Sequence, residues 1–170
     1  MTRVYLSLGS NIDRDNNIRS GLDALARHFS TLTLSPVYES AAVGFDGEAF
    51  LNLVAAIDTD LGVGELARLL REIEADHGRT RGEKKFASRT LDIDILTYGD
   101  ALGLIEGVEL PRDEILKHAF VLRPLADLAP HESHPLLKRS YADLLQEKQE
   151  RESAFSDQAL WVVPFRWSAQ

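Results

Sequence analysis

Apolar and polar positions alternate along Tyr5-Leu6-Ser7-Leu8 and then give way to Gly9-Ser10-Asn11, which predicts a short strand closed by a turn. Ile18, Leu22, Leu25 and Phe29 follow at steps of four, three and four, one stripe of a helix with Asp15 or Asn16 as its N-cap. Thr31 to Tyr38 is β-prone, and Pro36 marks an edge position or a strand end. Gly44 to Gly47 reads as a loop, and Phe50 to Ile57 as a strand apolar enough to be buried. Leu66, Leu69, Leu70 and Ile73 line a second helix that stops at Gly78. Thr90 to Leu96 alternates most cleanly of all. The resulting order, strand-helix-strand-strand-helix-strand, predicts an α+β fold with a ferredoxin-like βαββαβ core, its helices covering one face of an antiparallel sheet.

Beyond Gly99 the pattern loosens into a loop-rich stretch with a short hairpin around Gly107. A short helix is expected from Pro111 to about His118, another over Val121–Leu128, and a last one carrying Tyr141, Leu144 and Leu145. These are C-terminal helical additions to the core. The run Gln146–Glu152 is charged and expected to be exposed, whereas Leu160–Phe165 is sticky enough for a strand or a subunit contact. The chain therefore divides into one domain over residues 1–145 and an extension, residues 146–170, whose role the pattern leaves open.

At 170 residues and 44% hydrophobic content, the chain can bury a real core without staples. The absence of cysteine excludes disulfides and thiolate metal sites. No signal-peptide pattern opens the sequence, and nowhere do the ~18 consecutive apolar residues of a membrane span occur. The expectation is a cytoplasmic protein with no membrane partner, monomeric or homodimeric. A formal charge of −8 argues against nucleic acid as a partner. That charge is unevenly spread, however. Arg79, Arg81, Lys84, Lys85 and Arg89 crowd into one segment opposed only by Glu83, which suits either a small polyanionic ligand or an ordinary solvated loop.

Asp92 and Asp94 carry the most chemical information. Residues two apart on a strand point the same way, so Leu91, Ile93 and Ile95 fill a core while both carboxylates stand on the other face. Such a pair repels itself unless something positive lies between, and magnesium favours a few carboxylates together with substrate phosphates. Alone, an Asp-x-Asp fits an exposed strand face with salt bridges better. The arginines immediately upstream tip the balance, because a metal-phosphate site also needs forked cationic donors. Neither a P-loop nor a Gly-x-Gly-x-x-Gly fingerprint is present, so nucleotide binding would have to rely on side chains. Asn52, an amide within an apolar strand, calls for hydrogen-bond partners, whereas Phe50 and Phe120 taken singly suit a core as well as a stacking platform.

Several ordered motifs together resemble the 6-hydroxymethyl-7,8-dihydropterin pyrophosphokinase family. They are Tyr5-Leu6-Ser7-Leu8-Gly9-Ser10-Asn11, Ser35-Pro36-Val37-Tyr38-Glu39-Ser40, Phe50-Leu51-Asn52, the stretch from Gly78-Arg79-Thr80-Arg81 through Ser88-Arg89-Thr90-Leu91-Asp92-Ile93-Asp94-Ile95-Leu96, and Ala119-Phe120-Val121-Leu122-Arg123-Pro124-Leu125. The similarity runs from about Val4 to Leu145. It implies an enzyme of folate biosynthesis that transfers pyrophosphate from ATP to the pterin hydroxymethyl group and releases AMP. It further implies two Mg2+ ions on Asp92 and Asp94, with Arg79 and Arg89 also in the catalytic set. The ATP pocket would draw on Arg71, Glu74, Arg79, Arg81, Lys85, Arg89, backbone at Ile95, Arg112 and His118. The pterin would lie between Phe50 and Phe120, its polar edge read by Asn52, with Ser40, Ala41, Val43 and Phe86 nearby. One departure is visible: family members usually carry His after the proline and Arg before the Ala-Phe, where this chain has Arg112 and His118, the two cationic types exchanged. The competing expectations are a paralogue acting on a modified pterin and a noncatalytic ferredoxin-like module that binds a ligand without releasing AMP.

Overall fold

The computed structural model describes residues 1–41, 49–78 and 90–169. Its centre is an antiparallel sheet built from β1 (Thr2–Ser10), β2 (Leu32–Leu34), β3 (Val37–Ser40), β4 (Phe50–Thr59), β5 (Asp92–Tyr98) and β8 (Leu160–Val163). The path across it is β5-β1-β4-β3-β8, with β2 pairing β4 off that path. β2 and β3 act as one strand broken at Pro36, which lacks the N–H a ladder requires. Ser35 stitches the break: its N–H donates to the Val54 carbonyl at 2.9 Å, and its hydroxyl accepts from the Val54 N–H at 2.9 Å. The core order is therefore that of the ferredoxin-like fold. The hairpin β6 (Gly103–Ile105) and β7 (Val108–Leu110) turns at Glu106 and Gly107, both at positive φ.

Both faces of the sheet are covered. On one, Val4, Leu6, Leu8, Leu53, Ala55, Ile57, Ile93 and Ile95 pack with the stripes of α1 (Arg14–His28) and α2 (Val63–Asp76). On the other, Tyr5, Val54, Ala56 and Leu96 meet α3 (Glu114–Lys117), α4 (Ala119–Leu128) and α5 (Tyr141–Arg151). The helical layer read from the first hundred residues is thus half of the arrangement. The continuous apolar run of β4 already signals two buried faces, since a strand with one wet face alternates. The first helix also starts earlier than expected, after Asp13 in the left-handed region at φ 42°, with Asp15 in its first turn. No helix among the described residues is long and apolar enough to cross a membrane.

The last segment folds back onto the sheet. After α6 (Ser153–Ser156), β8 pairs with β3 and so becomes the edge strand. Phe165 and Trp167 pack on the first core, with the Trp167 indole donating to Asp23 at 2.8 Å and the Arg19 guanidinium lying 4.3 Å from the Phe165 ring centre. Trp161 remains exposed.

Candidate active site

The site grows from a single rung across the sheet. Asp92 on β5 faces Gly9 on β1, Gly9 faces Asn52 on β4, and Asn52 faces Tyr38 on β3. Directly opposed residues share a face, so all four look towards the second core. The neighbouring positions Asp94, Ser7, Phe50 and Ser40 look the same way. Two strand spacings put the Asp92 end of the rung about 10 Å from the Asn52 end. Gly9 is the floor between them. A methyl there would lie 3.0 Å from Asn52 Oδ1 and 4.0 Å from the Phe50 ring, so only glycine leaves that floor open.

At one end, Asn52 is buried and donates through Nδ2 to Ser40 Oγ at 2.8 Å. The carbonyl oxygen of the same amide is thereby turned towards Gly9. Tyr38 beside it bonds Asp127 on α4, and burial followed by that carboxylate pushes its phenol up to about 12. Phe120, in the first turn of α4, stacks on the His118 imidazole with centroids 4.7 Å apart and planes 15° apart.

At the other end, burial first and the Asp92 charge second raise the Asp94 carboxyl to about 8, against a partial offset from Arg112. Arg112 Nη2 lies 3.6 Å from Asp94 and 3.2 Å from Glu114. A β-bulge delivers it there. The β1–β5 register slips between Tyr5 and Leu6, so that Leu96 has no partner on β1, and its carbonyl accepts from the Arg112 N–H at 2.9 Å. Ser10 fixes the start of β5 by donating to the Thr90 carbonyl at 2.5 Å. The result is one guanidinium paired with Asp94 and Glu114 and within the field of Asp92. No group of three or more His, Asp or Glu side chains among the described residues is arranged to hold a cation alone, so a hard divalent ion here would draw further oxygen ligands from an anion arriving with it.

A family model described as 7,8-dihydro-6-hydroxymethylpterin-pyrophosphokinase matches residues 5–130. The chain belongs to this family. Over 132 residues the chain is 42% identical to the 2-amino-4-hydroxy-6-hydroxymethyldihydropteridine pyrophosphokinase of Pseudomonas aeruginosa, a match covering 75% of this chain and 81% of the relative. It is 33% identical over 149 residues to the Aquifex aeolicus protein of the same name, covering 86% and 92%. Among solved structures, Plasmodium falciparum HPPK-DHPS aligns with a TM-score of 0.68 at 12% identity, which speaks for the fold alone. That alignment covers 91% of this chain but 46% of the Plasmodium chain, so this chain spans under half of that protein.

The structure brings Asp92, Asp94, Arg112, Phe50, Asn52 and Ser40 to one face of the sheet, with Phe120 on the helix that covers it. Ala41 is exposed just past β3. Glu74 accepts from the Ile93 N–H at 2.8 Å, capping the β5 edge, and the Ile95 side chain is in the first core, leaving only its backbone for a ligand. Arg71 is exposed on α2. His118 packs on Phe120, and Arg112 stands beside Asp94. Val43, Arg79, Arg81, Lys85, Phe86 and Arg89 lie outside the described residues. Gly9, Ser10 and Glu114 were missed as site residues. For Gly9 the signal was available, because continuing the alternation of β1 by two positions beyond Ser7 reaches it.

Gly9→Ala tests the floor. The expected variant folds and binds an ATP analogue normally, yet its affinity for the pterin falls roughly tenfold or more, because the new methyl must displace the Asn52 amide. Titration calorimetry with each ligand checks this, and an unchanged pterin affinity would show that the floor is not used.

Proposed function

We propose that the activity of this family, transfer of pyrophosphate from ATP to the hydroxymethyl group of 6-hydroxymethyl-7,8-dihydropterin with release of AMP, is carried out along the Asp92–Gly9–Asn52 rung. In this reading Asp92 and Asp94 hold two Mg2+ ions together with the ATP phosphates. The pterin lies over Gly9, its flat faces between Phe50 and Phe120 and its polar edge against Asn52. The observation that carries the reading is the placement of Asp92 and Asp94 on one face of β5 with Arg112 Nη2 3.6 Å from Asp94, where burial and the Asp92 charge push the Asp94 carboxyl up. Two carboxylates that cannot both ionise comfortably are a site short of positive charge.

The bound ions would neutralise charge on the phosphate oxygens. Asn52 and the two rings orient the pterin so that its hydroxyl oxygen can attack the β-phosphorus in line, breaking the bond to the α-phosphate oxygen so that AMP leaves. Arg112 supplies a fixed positive charge beside Asp94, and the arginines at 79, 81 and 89 supply donors for the remaining phosphate oxygens. Positioning and electrostatics carry most of the acceleration in such transfers, and no side chain needs to act as general base. The deciding experiment incubates the protein with ATP, Mg2+ and 6-hydroxymethyl-7,8-dihydropterin. AMP and the pterin diphosphate should appear together. ADP, or no turnover, overturns the reading.

A second test concerns the proton on Asp94. A cation can bind that carboxyl only after the proton leaves, so Mg2+ affinity should climb roughly tenfold per unit between pH 6 and 7.5 and level off above about 8. Calorimetry of Mg2+ alone in buffers of different ionisation enthalpy should register close to one proton released at pH 7. Release of none would remove Asp94 from the ligand set.

A further inference from the structure

The family match ends at residue 130, yet the chain continues for another forty residues that return to the site. The point of return is Gln158. Its carboxamide oxygen accepts from the Ala119 N–H at 2.7 Å, and its nitrogen donates to the Lys117 carbonyl at 3.0 Å. These two backbone groups flank His118, which is extended at φ −121° and ψ 123° and joins α3 to α4. A carboxamide offers one donor and one acceptor side by side, so it pairs with the backbone on both sides of His118 much as a strand neighbour would. The contact with Ala119 also satisfies one of the N–H groups that the first turn of a helix leaves without an intrahelical partner.

Gln158 is itself held at both ends. Its own N–H donates to the Phe155 carbonyl at 3.2 Å, and Phe155 is buried in the second core. Two residues later, Leu160 pairs with Ser40, the residue that accepts the Asn52 amide. One short span of chain therefore ties together the start of α4, which carries the stacked His118 and Phe120 rings, and the end of β3.

We infer that Gln158 is a positioning residue for the pterin site, acting through the His118 junction to set the plane of the Phe120 ring. The inference rests on the reading of Phe120 as a pterin platform. Without Gln158 the extended junction would be held by its helix-end bonds to Glu114, Val121 and Leu122 alone, so a ring two residues past it could tilt, and stacking on a flat heterocycle tolerates little tilt. The clamp removes that freedom before the ligand arrives, so less ordering is left to oppose binding. Among the described residues Gln158 bonds Lys117, Ala119, Ala154 and Phe155 and neither Asp92 nor Asp94, which predicts an effect confined to one substrate.

The test uses the full chain with Gln158→Met, which keeps the length and packing of the side chain but none of its hydrogen bonds, the one to the Ala154 carbonyl included. The expected result is a roughly tenfold loss of pterin affinity in the presence of a nonhydrolysable ATP analogue. Affinity for the analogue itself should be unchanged, with a melting temperature within a few degrees of wild type. In a Phe120→Ala background, the same substitution should cost almost nothing further, because the ring it orients is gone. Full pterin affinity in Gln158→Met, losses that add in full in the double variant, or an equal loss for both ligands would each overturn the positioning role. Should Gln158→Met fail to fold, Gln158→Glu, which keeps the acceptor for Ala119, is read by the same criteria. Unchanged affinity in Phe120→Ala alone would instead overturn the platform reading, so the two failures are distinguishable.

Discussion

Asp94→Asn abolishes pyrophosphate transfer, by at least about a thousandfold, while the protein melts no lower than wild type and melts higher above pH 7. The first half follows from the cation. A neutral amide is a poor ligand for Mg2+, and losing charge stabilisation on the phosphates costs several kcal/mol, of which ~4 kcal/mol corresponds to a thousandfold. The second half follows from linkage. The folded state holds the Asp94 proton up to about 8, far above the ordinary carboxyl value of 3.8. Between those limits the folded state binds more protons than the unfolded one, so this group's contribution to stability declines as pH rises from about 4 through about 8. Asparagine carries no such proton and removes the slope. Each kcal/mol regained is worth roughly 2–4 °C for a domain of this size. Thermal melts at several pH values with Mg2+ removed, paired with an AMP-release assay, check both halves. A variant that retains activity takes Asp94 out of the reaction, and one that melts much lower at pH 8 shows that the carboxylate was serving the fold.

Asn52→Leu should raise the KM for the pterin about a hundredfold and leave the KM for ATP within about twofold. A buried amide that reads a heterocycle edge makes two hydrogen bonds, and each polar group left unmatched costs about 1–3 kcal/mol. Leucine has a similar volume and sits well in a strand whose neighbours Leu51 and Leu53 are already apolar, so the fold survives the change. Ser40, the acceptor that loses this donor, carries a hydroxyl whose lone pairs can turn to another donor or to water. Steady-state kinetics with each substrate varied in turn decide it. Equal rises in both KM values would mean that the whole cleft had collapsed, and no rise in the pterin value would take the amide out of recognition.

Much of this site could be read from the chain because its chemistry lies on strands, where a period of two residues says which way each side chain points. The alternation Leu91-Asp92-Ile93-Asp94-Ile95 separates core from cleft without tertiary information. The buried amide at position 52 was legible for a different reason: nothing polar belongs in an apolar strand unless it has partners. Gly9 was misread as a turn because Gly-Ser-Asn is turn chemistry in isolation. β1, however, is paired on both sides, and the ladders to β4 and β5 carry it through Gly9. The later helices are legible as C-terminal additions but their place on the second face is not, because a helix's own periodicity shows that it has an apolar side and not which face of a sheet receives it. Gln158 had no local signal at all, being a polar residue in a polar segment whose meaning depends on a contact 39 residues back along the chain.

The irregularity opposite Leu96 has a consequence for how such a protein can change. On its two sides the strand obeys different phases: Leu96 and Thr97 both face the second core, where an unbroken zigzag would have sent Thr97 to the first. Both halves remain paired with β1, so the surplus residue reverses only which positions of the strand point to which core. A segment lacking it would run as one plain zigzag, with Asp92 and Asp94 facing as they do now and the Leu96 carbonyl that accepts from Arg112 gone.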